Sequence, residues 1–237
     1  MQIKDSVVLV TGANRGIGAE FVRQLKQRGA AKIYAAARNA GSIDADGVEV
    51  ITLDVTNQAQ VEAAAAQASD TSLLVNNAGV ASGETLIRGD LDGIRRELET
   101  NFFGPLRLTR AFAPILAANG GGAILNVLSA ASWFTHPSST TYSTTKAAAW
   151  SLTDGIRVEL AGQGTQVLGL HMGPVDTDMI ARLEIDKSDP ATVVTAALDG
   201  IEAGASEVLA DAIATQVKAS LGLDPSERYA ALVGAQA

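Results

Sequence analysis

Val7-Val8-Leu9-Val10-Thr11-Gly12-Ala13-Asn14-Arg15-Gly16-Ile17-Gly18 decides how the rest of the chain is read. Consecutive apolar, mostly β-branched residues predict a strand buried on both faces, Ser6–Val10. The strand ends in a glycine-rich turn, and the turn opens a helix, Gly18–Gln27. Glycines let a backbone approach a ligand closely, and the free N–H groups at a helix start favour a pyrophosphate. The spacing is G-x-x-x-G-x-G, a variant of the usual dinucleotide turn. Gly12, Asn14, Arg15, Gly16, Ile17 and Gly18 are therefore candidate coenzyme contacts.

Outward from that stretch, apolar runs alternate with longer amphipathic ones. Further strands are predicted at Lys32–Ala36, Val48–Leu53, Leu73–Val75, Ala123–Leu128, Gln166–His171 and Glu207–Ala210. Helices are predicted at Gln58–Ala68, Gly93–Ala118, Ser143–Gly162 and Ala191–Ala203. This rhythm predicts a doubly wound α/β fold, with about seven mostly parallel strands and helices on both faces. Gly29, Gly162 and Gly164 stand where helices should stop, and Pro190 where one should start. The length suits one domain over 1–237, with a coenzyme half of about 1–120 and a catalytic and substrate half of about 121–237. The tail after Leu221 breaks at Pro225-Ser226 and is expected to be partly mobile.

Composition removes several functions. Eighteen basic against 26 acidic residues give a net charge of −8, which argues against nucleic-acid binding. The absence of cysteine excludes disulfides, thiol catalysis and thiolate metal sites. His136 and His171 are the only histidines, so no metal is expected. The chain starts as a strand rather than a leader and has no long apolar run, so a soluble, cytoplasmic protein without membrane contact is expected.

Coenzyme choice is read at the second strand. Its end carries Ala37-Arg38 and no carboxylate, whereas an acid there would accept from a ribose hydroxyl. Arg38, with Arg15 approaching the same place, suits a 2′-phosphate, so NADP(H) is the expected coenzyme. Asp54, followed by Val55, closes the third strand, where it either accepts from an adenine amino group or caps the next helix. Asn76-Asn77-Ala78-Gly79 ends the fourth strand, where asparagine side chains can pin neighbouring backbone.

Reactive groups follow in the second half. Tyr142 and Lys146 lie four apart and share a helix face, where a nearby ammonium lowers the tyrosine pKa. Ser129 follows the fifth strand and can place a hydroxyl beside Tyr142, with Ser132 a nearby competitor. Asn101 is a polar residue inside a helical stretch, unusual there unless it bonds to something.

Together these residues resemble the short-chain dehydrogenase/reductase family, in its short single-domain branch. The resemblance runs from Val7 to about Met179. Thr11-Gly12 through Gly18 is similar to the family's coenzyme turn, and Asn76–Gly79 to its N-N-A-G segment. Asn101, Ser129, Tyr142 and Lys146 match its catalytic tetrad in order and spacing. Met172-Gly173-Pro174-Val175-Asp176-Thr177 resembles the segment that touches the nicotinamide, with Met172 where the family usually has proline.

The resemblance implies a Rossmann-like carbonyl reductase. Tyr142 would exchange a proton with the substrate oxygen, and Ser129 would hold that oxygen. Lys146 would bind ribose and depress the Tyr142 pKa. Asn101 would hold a water that links Lys146 to solvent. Val175 and Thr177 would complete the coenzyme site, and 179–189 would form a substrate lid. The family commonly pairs its long helices between subunits, so a homodimer or homotetramer acting on a small-molecule carbonyl or alcohol is implied. A non-catalytic NADP(H) sensor would not need the tetrad. A sugar-nucleotide epimerase or dehydratase tends to be longer and to use a G-x-x-G-x-x-G turn.

Other residues carry two readings at this stage. Trp133, Phe134 and His136 either line a substrate pocket or pack. His171 reads as a hydrogen-bonded core residue, and Arg95-Arg96-Glu97 as a solvated helix face.

Overall fold

The computed structural model describes residues 1–230 and 232. Seven parallel strands form one sheet: β1 (Val7–Thr11), β2 (Lys32–Ala37), β3 (Glu49–Thr52), β4 (Leu73–Asn76), β5 (Ala123–Val127), β6 (Gln166–His171) and β7 (Glu207–Leu209). Their order is β3-β2-β1-β4-β5-β6-β7. The chain therefore reverses direction across the sheet between β1 and β4, which opens a crevice at the carboxyl ends of those strands.

Alternation along each strand builds two cores. Val8, Val10, Ile33, Leu73, Leu125 and Leu168 face α1 (Gly16–Gln27) and α6 (Pro190–Glu202). Leu9, Tyr34, Ile51, Leu74, Ile124 and Val167 face α2 (Gln58–Gln67), α4 (Gly104–Ala118) and α5 (Thr140–Leu160) on the other side. Most of these side chains are fully enclosed, and each buried Val, Leu or Ile contributes about 1.5–3 kcal/mol relative to exposure.

Helix starts follow capping chemistry. Asn57 accepts from Gln60 N at α2, and Asp189 accepts from Ala191 N ahead of Pro190 at α6. Asp54 does not cap α2; it turns on itself and accepts from Thr56 N and Thr56 Oγ1. The helix expected over Gly93–Ala118 is three pieces: α3 (Leu91–Leu98), a π turn (Glu99–Phe103) and α4. Asp90 caps α3 through Gly93 N, and Pro105 stands in the first turn of α4.

α7 (Ala212–Ala219), which sequence reading passed over, starts from the cap Asp211. Past Leu221 the chain forms α8 (Pro225–Arg228), capped by Asp224, so the break at Pro225 starts a helical turn. The end of the tail expected to be mobile, Ala231 and 233–237, lies outside the described residues. No described helix is long and apolar enough to cross a membrane.

Candidate active site

The glycine turn is built for close approach. Gly12 and Gly16 have φ of +65° and +53°, a region that disfavours side chains. A Cβ on Gly18 would sit 2.1 Å from Gly12 O, so the helix starts against the turn itself. The turn rests on the fourth strand's end. Asn77 Nδ2 donates to Thr11 O at 2.8 Å and Gly12 O at 3.3 Å, while Asn77 N and Ala78 N both donate to Thr11 Oγ1. Asn77 thus pins neighbouring backbone, as expected of it. At the cap position of α1, Arg15 makes no side-chain capping bond, which leaves the helix's first N–H groups free for an anion. Asn14 Nδ2 reaches Ser42 Oγ at 3.1 Å, and Ile17 packs against the core.

Arg15 and Arg38 do not converge. Arg15 Nη1 lies 3.5 Å from Asp178, so the turn's arginine faces the loop after β6. Arg38 is exposed and instead lines a cavity of about 500 Å³ with Asp54, Thr56, Val80, Ser82 and Thr100. Val55 is buried against Gly104. A Cβ on Gly16 would lie 3.1 Å from Thr177, so the glycine turn also abuts the loop after β6. That loop is stabilised by the Val175 pairing with Ser188 and by Thr177 Oγ1 donating to Val175 O.

The reactive residues gather at the same edge of the sheet. Lys146 Nζ lies 5.6 Å from the Tyr142 ring centre and donates to Val127 O at 2.8 Å. Ser129 Oγ accepts from Ala131 N and faces Met172 O at 3.4 Å; Ala130 N also donates to Met172 O. Met172, in place of proline, therefore ties its loop to the Ser129 segment through its carbonyl. Ser132, the alternative to Ser129, is buried and its hydroxyl has no partner among the described residues. Asn101, in the π turn, accepts from Val80 N and donates to Val80 O and Thr145 Oγ1, each at 2.9 Å. Both its amide hydrogens are engaged by protein. Gly79 lies against both Asn101 and Lys146: a Cβ on it would be 3.4 Å from Asn101 Oδ1 and 3.9 Å from Lys146 Nζ.

Electrostatics depart from the sequence expectation. Burial pushes the Tyr142 phenol up to about 12; hydrogen bonding to Ser129 opposes this, and the Glu97 charge adds to it. Burial pushes Lys146 down to about 8. The ammonium is turned onto Val127 O and does not offset the desolvation of the phenol, so without coenzyme Tyr142 stays a neutral acid.

Glu97 corrects the reading of Arg95-Arg96-Glu97. The two arginines are solvated, but Glu97 is 1% exposed and accepts from Ser82 N and Ser82 Oγ. Gly93, Glu97 and Asn101 are buried at a spacing of four, and that spacing was the overlooked signal. Asp211 was also missed: its carboxylate accepts from Gly173 N at 2.7 Å and Ser188 Oγ at 3.0 Å, joining the loop after β6 to the far end of the 179–189 segment.

Trp133 is packed rather than pocket-lining, stacked on His171 at 3.8 Å and edge-on to Trp150. His171 is the core residue expected; its Nδ1 meets Ser129 O at 3.1 Å, and burial pushes its pKa down to about 4. His136 is exposed and pairs with Ser138. Among the described residues no group of three or more His, Cys, Asp or Glu could hold a metal ion.

The glycine turn, the N-N-A-G segment and the Ser129–Tyr142–Lys146 group, on a seven-stranded parallel sheet, define a Rossmann-like oxidoreductase. Residues 6–188 match the short chain dehydrogenase family model. The chain belongs to the short-chain dehydrogenase/reductase family. An uncharacterized oxidoreductase of Staphylococcus aureus (strain MW2) is 31% identical over 213 residues, 83% of this chain and 92% of the relative. A short chain dehydrogenase from Burkholderia cenocepacia J2315, solved in complex with NADP, is 39% identical; its TM-score is 0.93 over 98% of this chain and 99% of that one. A bulky-bulky ketone specific alcohol dehydrogenase from Comamonas testosteroni is 26% identical, with a TM-score of 0.77 over 98% of this chain and 92% of that one.

Proposed function

We propose that this chain is an NADP(H)-dependent carbonyl reductase, interconverting a ketone or aldehyde with its alcohol. The observation that carries the reading is the gathering of Ser129, Tyr142 and Lys146, with Lys146 against Gly79 at the end of the N-N-A-G segment on which the glycine turn rests. The whole chain acts as one catalytic unit, with the coenzyme bound mainly by 1–120 and the substrate by 121–237.

The residues fit a dinucleotide. Gly12 and Gly16 let the turn take the backbone path that brings a pyrophosphate to the free N–H groups of α1, and Gly18 lets that helix start close against the turn, with Asn14, Arg15 and Ile17 shaping it. Arg38 binds the 2′-phosphate, and Asp54 and Val55 border the adenine. Asn77, Ala78 and Gly79 form the floor, and Val175 and Thr177 the nicotinamide end. When bound, NADPH supplies the hydride.

The chain's own residues handle the oxygen and the proton. Ser129 Oγ donates to the carbonyl oxygen and stabilises the charge that grows on it. Tyr142 Oη gives its proton to that oxygen in reduction and takes it back in oxidation. Lys146 leaves Val127 O for the ribose hydroxyls, and its charge then acts on the phenol. Asn101 holds the Val80 segment in place.

The name of the Comamonas testosteroni enzyme supports a ketone as the carbonyl. The protein works in the cytoplasm as a dimer or tetramer. The test is NADPH oxidation with a panel of ketones, aldehydes and quinones, followed by the reverse reaction with alcohols. No turnover of any carbonyl, with NADPH bound, would refute the proposal.

A further inference from the structure

The segment that joins Ser129 to Tyr142 is held from two sides. Trp133 turns inward, between His171 on one face and Lys218 on the other. Phe134 turns the opposite way and stacks on Tyr229, with ring centres 5.1 Å apart and planes 23° from parallel. Thr135 N donates to Tyr229 Oη at 3.2 Å. Among the described residues this is the one hydrogen bond that ties 134–138 to anything outside the 130–143 stretch. Arg228 donates to Leu221 O and Leu223 O, which folds the chain back so that Tyr229 meets the loop.

Exposed apolar side chains come from loops at the carboxyl edge of the sheet and from the segment leading to Tyr229. Leu86 comes from the loop after β4, whose N–H donates to Thr140 Oγ1 next to Tyr142. Met179, Leu183 and Ile185 come from the loop after β6, and Leu221 and Leu223 from the segment leading to Tyr229. Parallel strands bring the first two loops to one edge of the sheet, where substrates of such folds bind. An edge of this kind favours an apolar carbonyl compound, and a rigid aromatic pair sets a firm boundary on its size.

We infer that Tyr229 is a specificity-determining residue: paired with Phe134, it forms a wall on one flank of the substrate carbonyl and limits the apolar group accepted there. This rests on the carbonyl reductase reading. The wall is supplied by a residue 94 positions away from the loop it supports. Its hydroxyl holds the loop's backbone and its ring holds the loop's side chain, so each function can be removed separately.

The test compares Tyr229→Ala, Tyr229→Phe, Phe134→Ala and the double alanine variant, with acetophenone and benzophenone as substrates. Loss of the wall is expected to raise the benzophenone-to-acetophenone ratio of kcat/KM by roughly 10-fold or more, the scale on which a hydrophobic pocket discriminates size. Phe134→Ala should do the same, and the double variant should add little, because both remove one wall. Tyr229→Phe keeps the ring, so the ratio should stay at the wild-type value while the Thr135 amide exchanges faster with solvent deuterium. An unchanged ratio in Tyr229→Ala, or an equal loss on both ketones, overturns the inference. If the wild type reduces neither ketone, the ratio is read between a larger and a smaller carbonyl that it does reduce; no turnover of any carbonyl with NADPH bound refutes the reductase reading and leaves the wall to the exchange measurement. Unchanged exchange at Thr135 in both Tyr229 variants overturns the wall by itself, whatever the activity.

Discussion

Desolvation disfavours the charged form of both the half-buried Tyr142 and the buried Lys146, which moves their pKa values in opposite directions. The phenol lies near 12 and the ammonium near 8 before coenzyme binds. A neutral phenol is the form that can donate a proton, which is what the proposed reduction requires of Tyr142. Tyr142→Phe should lower kcat by at least about 100-fold, the lower end of what a general acid contributes, with NADPH affinity close to the wild type. Wild-type rates in that variant would exclude Tyr142 as the acid. Lys146 is cationic below about 8, so NADPH affinity should fall as pH rises through that value. Fluorescence titration of NADPH from pH 7 to 9.5 checks this, and Lys146→Met should remove the slope. Arg38 forms no ion pair among the described residues and lines the cavity beside Asp54. A charge-assisted hydrogen bond of about 1.5–3 kcal/mol predicts that Arg38→Ala lowers the NADPH-over-NADH preference by roughly 10- to 100-fold. Equal catalytic efficiency of the wild type with both coenzymes would contradict it.

At the scale of elements, the turn into α1 and the π turn before α4 carry the site. Gly18 is packed so closely on Gly12 O that an added methyl has nowhere to go. Gly18→Ala should therefore open the turn, weaken NADPH binding and lower Tm, and a thermal melt with and without NADPH reads both. The π turn has a different task. It adds a residue within the helical stretch, and its Asn101 grips Val80 while Glu97, one turn earlier, grips Ser82. Together they fasten the segment that follows Gly79, where cavity and reactive centre adjoin. The glycine turn was legible because its signal is local: a β-branched run, three glycines and a helix start. The π turn was not, since 91–118 has one continuous helical pattern and a π turn leaves no mark in periodicity.

For the whole molecule, the two-sided burial of the sheet leaves His171 enclosed at the end of β6, where it is neutral in the folded state. Its folded pKa of about 4 lies below the ordinary 6.5, so the unfolded chain binds the extra proton between those values. Stability should fall as pH drops from 6.5 to 4, by roughly 3 kcal/mol from this group. His171→Gln should flatten that part of the denaturant-midpoint profile, and an unchanged profile would show that another group is responsible. Assembly is also a whole-molecule property. Phe103 is 39% exposed and Val158 77%, both large apolar residues on or beside the long helices α4 and α5. Val158→Glu should shift the sedimentation profile toward smaller species, and a monomeric wild type would refute the expected oligomer.

By itself the sequence determined the alternation of strands and helices, the glycine turn and the four-residue spacing of Tyr142 and Lys146. Each of these is a pattern within a few residues, set by backbone sterics and by which faces are apolar. Only tertiary structure decided that β4 lies beside β1, which places Asn77 on the glycine turn. It alone buried Glu97, turned Arg15 toward Asp178 rather than Arg38, and set Lys146 on Val127 O. It also brought Tyr229 to Thr135. These outcomes depend on charges, desolvation and contacts between segments far apart in the chain, and such pairings leave no periodic trace in the residues that make them.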